Sequence, residues 1–189
     1  MVMKSVMSEA TKAIRPVIGP LKQTEERTAV QAAKAHLAKE LSDRYRIVGV
    51  GLRIDKPARG KVPDRRIGVV VVDYGNRRNV EVLVDTRGKV VNVVDLMGAQ
   101  PPSTDEEIKE ARAIAEQDSP VARHAKRKNV FVSEFAPPST TDHARRLGLR
   151  YAVLEKGRLT GAVAHAIVDL SARELVHFDE IPGDSASRR

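Results

Sequence analysis

The chain has 189 residues, 41% of them hydrophobic and 31% charged, which is the composition of one globular domain or two small ones. It has no cysteine and only 3% aromatic residues, so disulfides, thiolate metal ligands and cysteine nucleophiles are excluded and few rings remain for stacking on bases or flavins. The net charge of +8 falls in residues 1–103, with 19 basic and 11 acidic side chains, whereas residues 104–189 carry 14 of each. This asymmetry indicates either an anionic partner of the first half or a solvated arginine-rich surface.

Residues 1–23 form a basic N-terminal segment. The charged side chains of Lys4, Glu9, Lys12 and Arg15 interrupt every apolar run before Pro20. A signal peptide or a membrane span would need a longer apolar stretch. We therefore expect a short helix or a disordered tail here, and a cytoplasmic protein without a membrane partner.

The first regular elements are a helix and a strand. The helix is predicted to start at Thr24, followed by acids that suit the helix dipole, and to end near Asp43. Residues 47–54 alternate as a strand does. The apolar stripe of the helix is predicted to be Val30, Ala33, Leu37 and Leu41, and the inward face of the strand Val48, Val50, Leu52 and Ile54.

Residues 66–98 have the pattern of three strands joined by two turns. The strands are predicted at 67–72, 80–85 and 90–94, and Gly75 and Gly88 supply turn chemistry. Loops this short allow only antiparallel pairing, because parallel strands need a long crossover. Residues 24–98 are therefore predicted to form one unit, a helix with four antiparallel strands.

The second half starts with Gln100-Pro101-Pro102, an extended linker. Ser103 and Thr104 stand three residues before Glu106 and Glu107, which is capping-box spacing at the start of a helix. The buried stripe of this helix is predicted to be Ile108, Ala111, Ile114 and Ala115, with a short helix next from Pro120 to about Lys128 and strands at 129–135, 145–154, 160–169 and 174–179. Residues 99–181 would form the second unit and 182–189 a flexible tail.

The second half repeats the first. Arg65-Arg66-Ile67-Gly68 recurs as Arg145-Arg146-Leu147-Gly148, and Val84-Asp85 recurs as Val168-Asp169. A period of roughly 80 residues is that of a duplicated small domain. The predicted fold class is therefore α+β, with two tandem cystatin-like units, each a helix packed on a four-stranded antiparallel sheet.

One stretch narrows the resemblance to a family. Four short patterns follow one another in this stretch: a strand that ends in Val84-Asp85, a Gly88-Lys89-Val90 turn, a Gly98-Ala99-Gln100-Pro101-Pro102 linker and Thr104-x-x-Glu107. This order resembles the N-terminal domains of copper amine oxidases, and the Val-Asp-x-x-Gly-Lys-Val part is also similar to PepSY modules. The resemblance implies cystatin-like accessory domains that carry no catalytic residues.

Amine oxidase activity is not implied by this resemblance. The family's catalytic domain holds a tyrosine-derived quinone in an Asn-Tyr-Asp/Glu context and a copper ion bound by His-x-His, and this sequence contains neither pattern. The five histidines lie far apart along the chain, although His165 and His177 could meet across the last hairpin. Asp85 and Asp169 end strands, where aspartate caps turns, and a catalytic pair is the alternative. We expect no catalytic residue, no metal and no cofactor.

The function that we expect is that of a non-catalytic binding or scaffold module. It would engage a protein or peptide through open sheet edges and a basic surface for an anionic partner that includes Arg65, Arg66, Arg77 and Arg78. The alternatives are a small enzyme with a pocket between helix and curved sheet, and a nonspecific nucleic-acid binder without aromatic platforms. Homo-oligomers are compatible with open edges.

Overall fold

The computed structural model describes residues 19–54, 64–97, 99–138 and 141–182. They form two compact units. Unit 1 contains the described residues up to Asp73 together with Asn79–Leu96, and unit 2 contains Tyr74–Arg78 and the described residues from Met97 onward. The sequence prediction assigned 74–78 to the first unit. Most of the predicted N-terminal segment (1–18) and of the predicted tail (183–189) lies outside the described residues.

Unit 1 is a helix on a four-stranded sheet. The strands are hydrogen-bonded in the order β1-β2-β3-β4, and β1 pairs antiparallel with β2, as β3 does with β4. The short β2–β3 connection makes this pair a hairpin as well. The elements are α1 (Gln23–Leu37), β1 (Tyr45–Ile54), β2 (Arg65–Asp73), β3 (Arg78–Asp85) and β4 (Val90–Asp95).

Unit 2 repeats this layout and adds a short helix. Its strands pair antiparallel in the order β5-β6-β7-β8. The elements are α2 (Asp105–Ala115), α3 (Ser119–Ala125), β5 (Val130–Phe135), β6 (Arg146–Glu155), β7 (Arg158–Asp169) and β8 (Glu174–Glu180). The predicted fold class, two tandem helix-on-sheet units of the α+β type, is confirmed.

The core of unit 1 lies between α1 and one face of its sheet. Small and β-branched side chains, each at most 2% exposed, fill this space: Ala29, Ala33, Leu37, Ile67, Val69, Val71, Val80, Val82 and Val84. Alanines on the helix let its backbone approach the sheet closely, and each buried valine or leucine contributes about 1.5–3 kcal/mol to the free energy of folding relative to an exposed one.

In the part of the chain that the structure describes, no helix is both long enough and apolar enough to span a bilayer.

Two details of unit 1 differ from the sequence prediction. Helix α1 ends at Leu37 rather than near Asp43, and a turn follows in which the amides of Glu40 and Leu41 both donate to the Leu37 carbonyl. In β1, Ile47 pairs with Val71 and Gly49 with Val70, so Val48 is an extra residue, a β-bulge. Tyr45, Ile47 and Val50 therefore pack on the core, whereas strict alternation predicted Val48, Val50, Leu52 and Ile54.

Candidate functional site

A buried ion pair lies at the centre of unit 2. Arg145 and Glu107 have 2% and 0% exposed side chains, and Arg145 Nε is 2.8 Å from Glu107 Oε1. Glu107 lies in the first turn of α2 because Thr104 caps this helix: the Thr104 amide donates to Glu107 Oε2 and the Glu107 amide donates to Thr104 Oγ1. The capping box that the sequence predicts thus positions the carboxylate for the arginine.

Glu107 accepts four hydrogen bonds, two on each oxygen. Oε1 accepts from Arg145 Nε and from the Tyr74 hydroxyl, at 2.8 and 2.9 Å. Oε2 accepts from Arg145 Nη2 and from the Thr104 amide, at 2.8 and 2.9 Å. Burial by itself raises the pKa of Glu107, but the hydrogen bonds and charge of Arg145, with the Thr104 amide and the Tyr74 hydroxyl, outweigh it, so the pKa lies below its ordinary value.

All five N–H groups of the Arg145 guanidinium donate hydrogen bonds. Two go to Glu107. Nη1 donates to Pro101 O at 2.7 Å and to Gln100 Oε1 at 3.3 Å, and Nη2 donates to Pro102 O at 3.2 Å. Gln100 Nε2 in turn donates to the Ala144 carbonyl at 2.9 Å. Three acceptors of the Gln-Pro-Pro linker are thus hydrogen-bonded to the same arginine. We name Arg145, Glu107 and the Pro101 and Pro102 carbonyls the unit 2 clasp.

Unit 1 contains the same arrangement. Arg65 donates to both carboxylate oxygens of Glu25, from Nε at 3.2 Å and from Nη2 at 2.9 Å. Its Nη1 donates to Gly19 O at 2.6 Å and its Nη2 to Pro20 O at 3.0 Å. Glu25 also accepts from the Lys22 amide at 2.9 Å. These hydrogen bonds, first that of Arg65 and then that of Lys22, lower the pKa of Glu25. We name this set the unit 1 clasp.

The two clasps have a structural role that sequence reasoning missed. Each arginine at the head of a long strand fixes the segment before the helix through two carbonyls, and holds the third residue of the helix through its carboxylate. A signal was present, because Glu25 and Glu107 stand at the same helix position in the two halves. In both copies of the Arg-Arg pair, the side chain of the first arginine is mostly buried and is hydrogen-bonded within its own unit.

The four arginines of the predicted basic surface have different surroundings. Arg65 is engaged in the unit 1 clasp and its side chain is only 9% exposed. Arg66 is half-buried, with Nη2 3.3 Å from Asp64 Oδ2. Arg77 is exposed in the turn after β2 with a positive φ of 52°, and Arg78 begins β3. Arg65 and Arg66 belong to unit 1, and Arg77 and Arg78 to unit 2.

The two strand-ending aspartates cap turns. Asp85 Oδ1 accepts from the amides of Arg87 and Lys89, at 2.9 and 2.8 Å, and these bonds, with that of Lys89 the larger, lower its pKa. Asp169 Oδ1 accepts from the Ala172 amide at 2.9 Å. Both carboxylates therefore do the structural work that their positions predict.

His165 and His177 do not face each other. His165 is opposite Asp179, and His177 is opposite Ile167. The His177 ring contacts the Asp179 carboxylate, and the His165 ring packs against Phe135 with 5.4 Å between ring centroids. Across the ranges that the structure describes, no group of three His, Asp or Glu side chains is placed to hold a metal ion.

Two surface clefts contain polar groups. The cleft in unit 2 has a volume of about 230 Å³ and is lined by the end of β5, the linker and the head of β6, including Phe135, Pro102 and Arg146. The cleft in unit 1 has a volume of about 360 Å³ and is lined by Asp64, Arg65, Arg66, Asp85, Thr86 and Val91. Neither cleft lies between helix and sheet, and in unit 1 apolar side chains fill that space.

The two sheets have four edge strands, and three of them are irregular. The β1 edge has the bulge at Val48, Val91 is an extra residue in β4, and Val176 is an extra residue in β8. Bulges are a usual protection of sheet edges against pairing with another chain. By contrast, all six residues of β5 pair with β6 in one unbroken register. The sequence of β5, Val-Phe-Val-Ser-Glu-Phe, contains neither lysine nor proline.

The hydrogen-bond pattern shows which groups of β5 point away from its sheet. The Leu154 amide donates to the Asn129 carbonyl, which makes these residues a hydrogen-bonded pair. In the β5–β6 register, backbone groups therefore alternate from this pair, and the N–H and C=O of Val132 and Glu134 lie on the outer side of the edge. Within the described residues, no strand pairs with that side of β5.

Comparison with known proteins gives a likeness in fold. No protein-family model matches the chain, and no curated protein matches it in sequence. Copper-containing benzylamine oxidase from Hansenula polymorpha is similar over 88% of this chain, with a TM-score of 0.62 and 14% sequence identity. The C-terminal domain of YpeB from Bacillus megaterium aligns over 86% of this chain and 64% of its own length, with 11% identity and a TM-score of 0.27.

The likeness to the oxidase concerns the fold alone, because the sequence identity is 14%. The chain spans 30% of the length of that oxidase. The expected likeness to copper amine oxidases is therefore confirmed for the fold, over 88% of this chain.

Proposed function

We propose that this protein is a non-catalytic binding module, related to the N-terminal accessory domains of copper amine oxidases, that engages an extended segment of a protein partner. The partner segment adds as a further strand to β5, and basic side chains beside that edge assist it. Strand addition draws its affinity from main-chain hydrogen bonds, so it requires an edge with regular, outward-facing amides.

The observation that carries this proposal is the regularity of β5. It is the edge without a bulge among the described strands, and it presents the amides of Val132 and Glu134 at regular spacing. Phe131 is 50% exposed, which offers an apolar contact to an added strand. The cleft of about 230 Å³ at the end of β5 offers room for a partner side chain, as pockets beside an augmented edge do.

A binding role is also consistent with how the interior is built. The space between α1 and its sheet is filled by side chains that are at most 2% exposed, so the surface is the part of unit 1 that is open to ligands. The carboxylates that first suggested chemistry, Asp85 and Asp169, are occupied by turn amides. A scaffold with edge strands and structural carboxylates supports binding better than it supports catalysis.

The test removes one outward amide without changing the internal ladder. Glu134→Pro deletes an N–H on the outer side of β5, and proline is tolerated where the N–H of an edge strand faces solvent. Ten-residue peptides selected by phage display against the protein should bind Glu134→Pro about tenfold more weakly or worse than the wild type. Glu134→Thr is the matched control, because it removes the carboxylate and keeps the amide, and it should bind as the wild type does.

Amide hydrogen exchange locates the bound peptide. A peptide that adds to β5 should slow exchange at Val132 and Glu134, while circular dichroism shows that both variants are folded. If the selected peptides bind Glu134→Pro as tightly as the wild type, or protect amides of β1, β4 or β8 instead, the proposal is wrong.

A further inference from the structure

The surroundings of β5 carry charge of opposite sign at its two ends. Lys126, Arg127 and Lys128 are all exposed just before the strand, after the end of α3, whereas Glu134 is exposed near its end. Asn129, with a positive φ of 65°, turns the chain from the basic residues into β5. An added strand therefore lies beside three cations at one end and beside a carboxylate at the other. We name residues 126–128 the basic run.

Other charges near the basic run do not cancel it. Glu180 interacts with Arg127 and with His124, whose Nε2 is 3.1 Å from Glu180 Oε1. The tip of the β6–β7 hairpin contains one acid and two bases, all exposed: Glu155, Lys156 and Arg158. The end of the sheet at which β5 begins is thus predominantly positive.

An apolar patch lies on the same part of the sheet. Phe131 is opposite Ala152, Leu154 follows two residues later on the same face, and Leu159 is opposite Leu154. These three large side chains are 50%, 40% and 57% exposed, respectively. A strand that pairs with β5 places every second side chain on this face beside Phe131.

On the basis of the function proposed above, we infer that the partner segment is acidic in its C-terminal part and runs antiparallel to β5. All strand pairs of the β5–β8 sheet are antiparallel, and antiparallel pairing is slightly more stable per residue. In this orientation the N-terminal part of the segment lies beside Glu134. An apolar residue contacts Phe131, and the C-terminal acids lie beside the basic run.

Three synthetic peptides test the inference. The first has six alternating threonine and valine residues followed by three aspartates, the second has the three aspartates at its N-terminus, and the third has serines in place of the aspartates. The first should bind about tenfold more tightly than either of the others at about 50 mM NaCl, and this advantage should shrink at about 500 mM NaCl because exposed charges are screened. Fluorescence anisotropy measures the three affinities.

Two triple variants separate a local effect from net charge. Lys126→Ser/Arg127→Ser/Lys128→Ser should abolish the advantage of the first peptide over the serine peptide. The control Arg27→Ser/Lys34→Ser/Lys39→Ser removes three exposed cations from α1 and its C-terminal turn in unit 1 and should leave that advantage unchanged.

The outcomes distinguish this inference from the proposed function. Equal binding of all three peptides, weakened by Glu134→Pro, would overturn the acidic specificity and leave strand addition standing. Tighter binding of the peptide with N-terminal aspartates would overturn the antiparallel orientation. If none of the three binds, or if phosphatidylserine vesicles bind through residues 126–128 while the peptides do not, the inference of an acidic peptide partner is wrong; binding of phage-selected peptides at β5 would still support the proposed function.

Discussion

Arg145 and Glu107 form a two-point ion pair in which Nε and Nη2 donate to Oε1 and Oε2, each at 2.8 Å, inside unit 2. Every remaining donor of the arginine and every remaining acceptor position of the carboxylate is also used, by Gln100, Pro101, Pro102, Thr104 and Tyr74. A buried charge pair is tolerated when its hydrogen bonds are complete. The pair therefore joins the linker, the first turn of α2 and the head of β6.

Removal of one charge should destabilise unit 2 strongly. Glu107→Gln leaves Arg145 buried without a counter-charge, and we expect a loss of about 3–5 kcal/mol in the free energy of unfolding. Urea unfolding followed by circular dichroism measures it. The matched variant Glu25→Gln in unit 1 should lose less, about 1–2 kcal/mol, because the Glu25 side chain is 20% exposed. A loss below about 1 kcal/mol in Glu107→Gln would contradict this account of the clasp.

The same carboxylate should make stability depend on acid pH. The pKa of Glu107 is lower in the folded protein than in the unfolded chain, so its contribution is fully present above the unfolded value of about 4.5 and is lost as pH falls through the lowered folded value. Wild-type stability should thus fall below about pH 4.5, and Glu107→Gln should lack part of that fall. Urea midpoints measured between pH 7 and pH 3 check the difference. Parallel curves for the two proteins would show that Glu107 does not titrate differently on folding.

The sequence predicts the two units because the signals for their turns, helix starts and strand pairing each lie within a few residues of the chain. Asp85 and Asp169 cap the turns where they stand, Thr104 begins α2, and short loops force antiparallel pairing. The clasps could not be predicted in the same way, because Arg145 meets Glu107 across 38 residues of chain. The periodic pattern placed β1 and its inward Val50 correctly, but it put Val48 inward in place of Ile47, because one bulged residue reverses the alternation without a sequence signal.

The candidate edge was only partly visible in the sequence. Open edges follow from any four-stranded sheet, but the choice of β5 rests on registers that appear only when the strands are paired. Conversely, the sequence predicts the basic surface from charge alone, whereas in the structure the Arg65 side chain is already hydrogen-bonded to Gly19 and Glu25. Composition gives the sign of a charge, whereas the side-chain partner decides whether the charge is available to a ligand.

Gly148 should not tolerate a methyl group. A Cβ at this position would lie 2.5 Å from Phe135 Cζ, and Phe135 is its direct partner across the β5–β6 ladder. Gly148→Ala must displace the ring, and overpacking of this kind costs about 1–3 kcal/mol. Gly161→Ala in β7 is the control, because nothing lies within 4 Å of a Cβ there and the free energy of unfolding should change little. Equal effects of the two substitutions on urea unfolding would show that the Phe135 ring moves freely.

The Tyr151 hydroxyl should be dispensable. Tyr151 is 0% exposed, and its hydroxyl has no hydrogen-bond partner among the residues that the structure describes. Because a buried unsatisfied hydroxyl is unfavourable, Tyr151→Phe should leave the free energy of unfolding unchanged or raise it by about 1–2 kcal/mol. Tyr74→Phe is the control and should lower it by about 1.5–3 kcal/mol, because that hydroxyl donates to the Glu107 carboxylate.

Alkaline titration tests the same residue independently. Burial raises the pKa of Tyr151 to about 12, with a smaller contribution of the same sign from Glu116 and an opposite one from Arg112. The folded protein holds the phenol neutral more strongly than the unfolded chain does, so its contribution to the free energy of unfolding is fully present below the unfolded pKa of about 10 and is lost as pH rises toward the folded value. Because phenylalanine does not ionise, Tyr151→Phe should resist alkaline unfolding better than the wild type. Ultraviolet absorbance should show one tyrosine that ionises later than the others. A phenol at this position that titrates near pH 10, or a clear loss of stability in Tyr151→Phe, would mean that the hydroxyl is hydrated or bonded in solution.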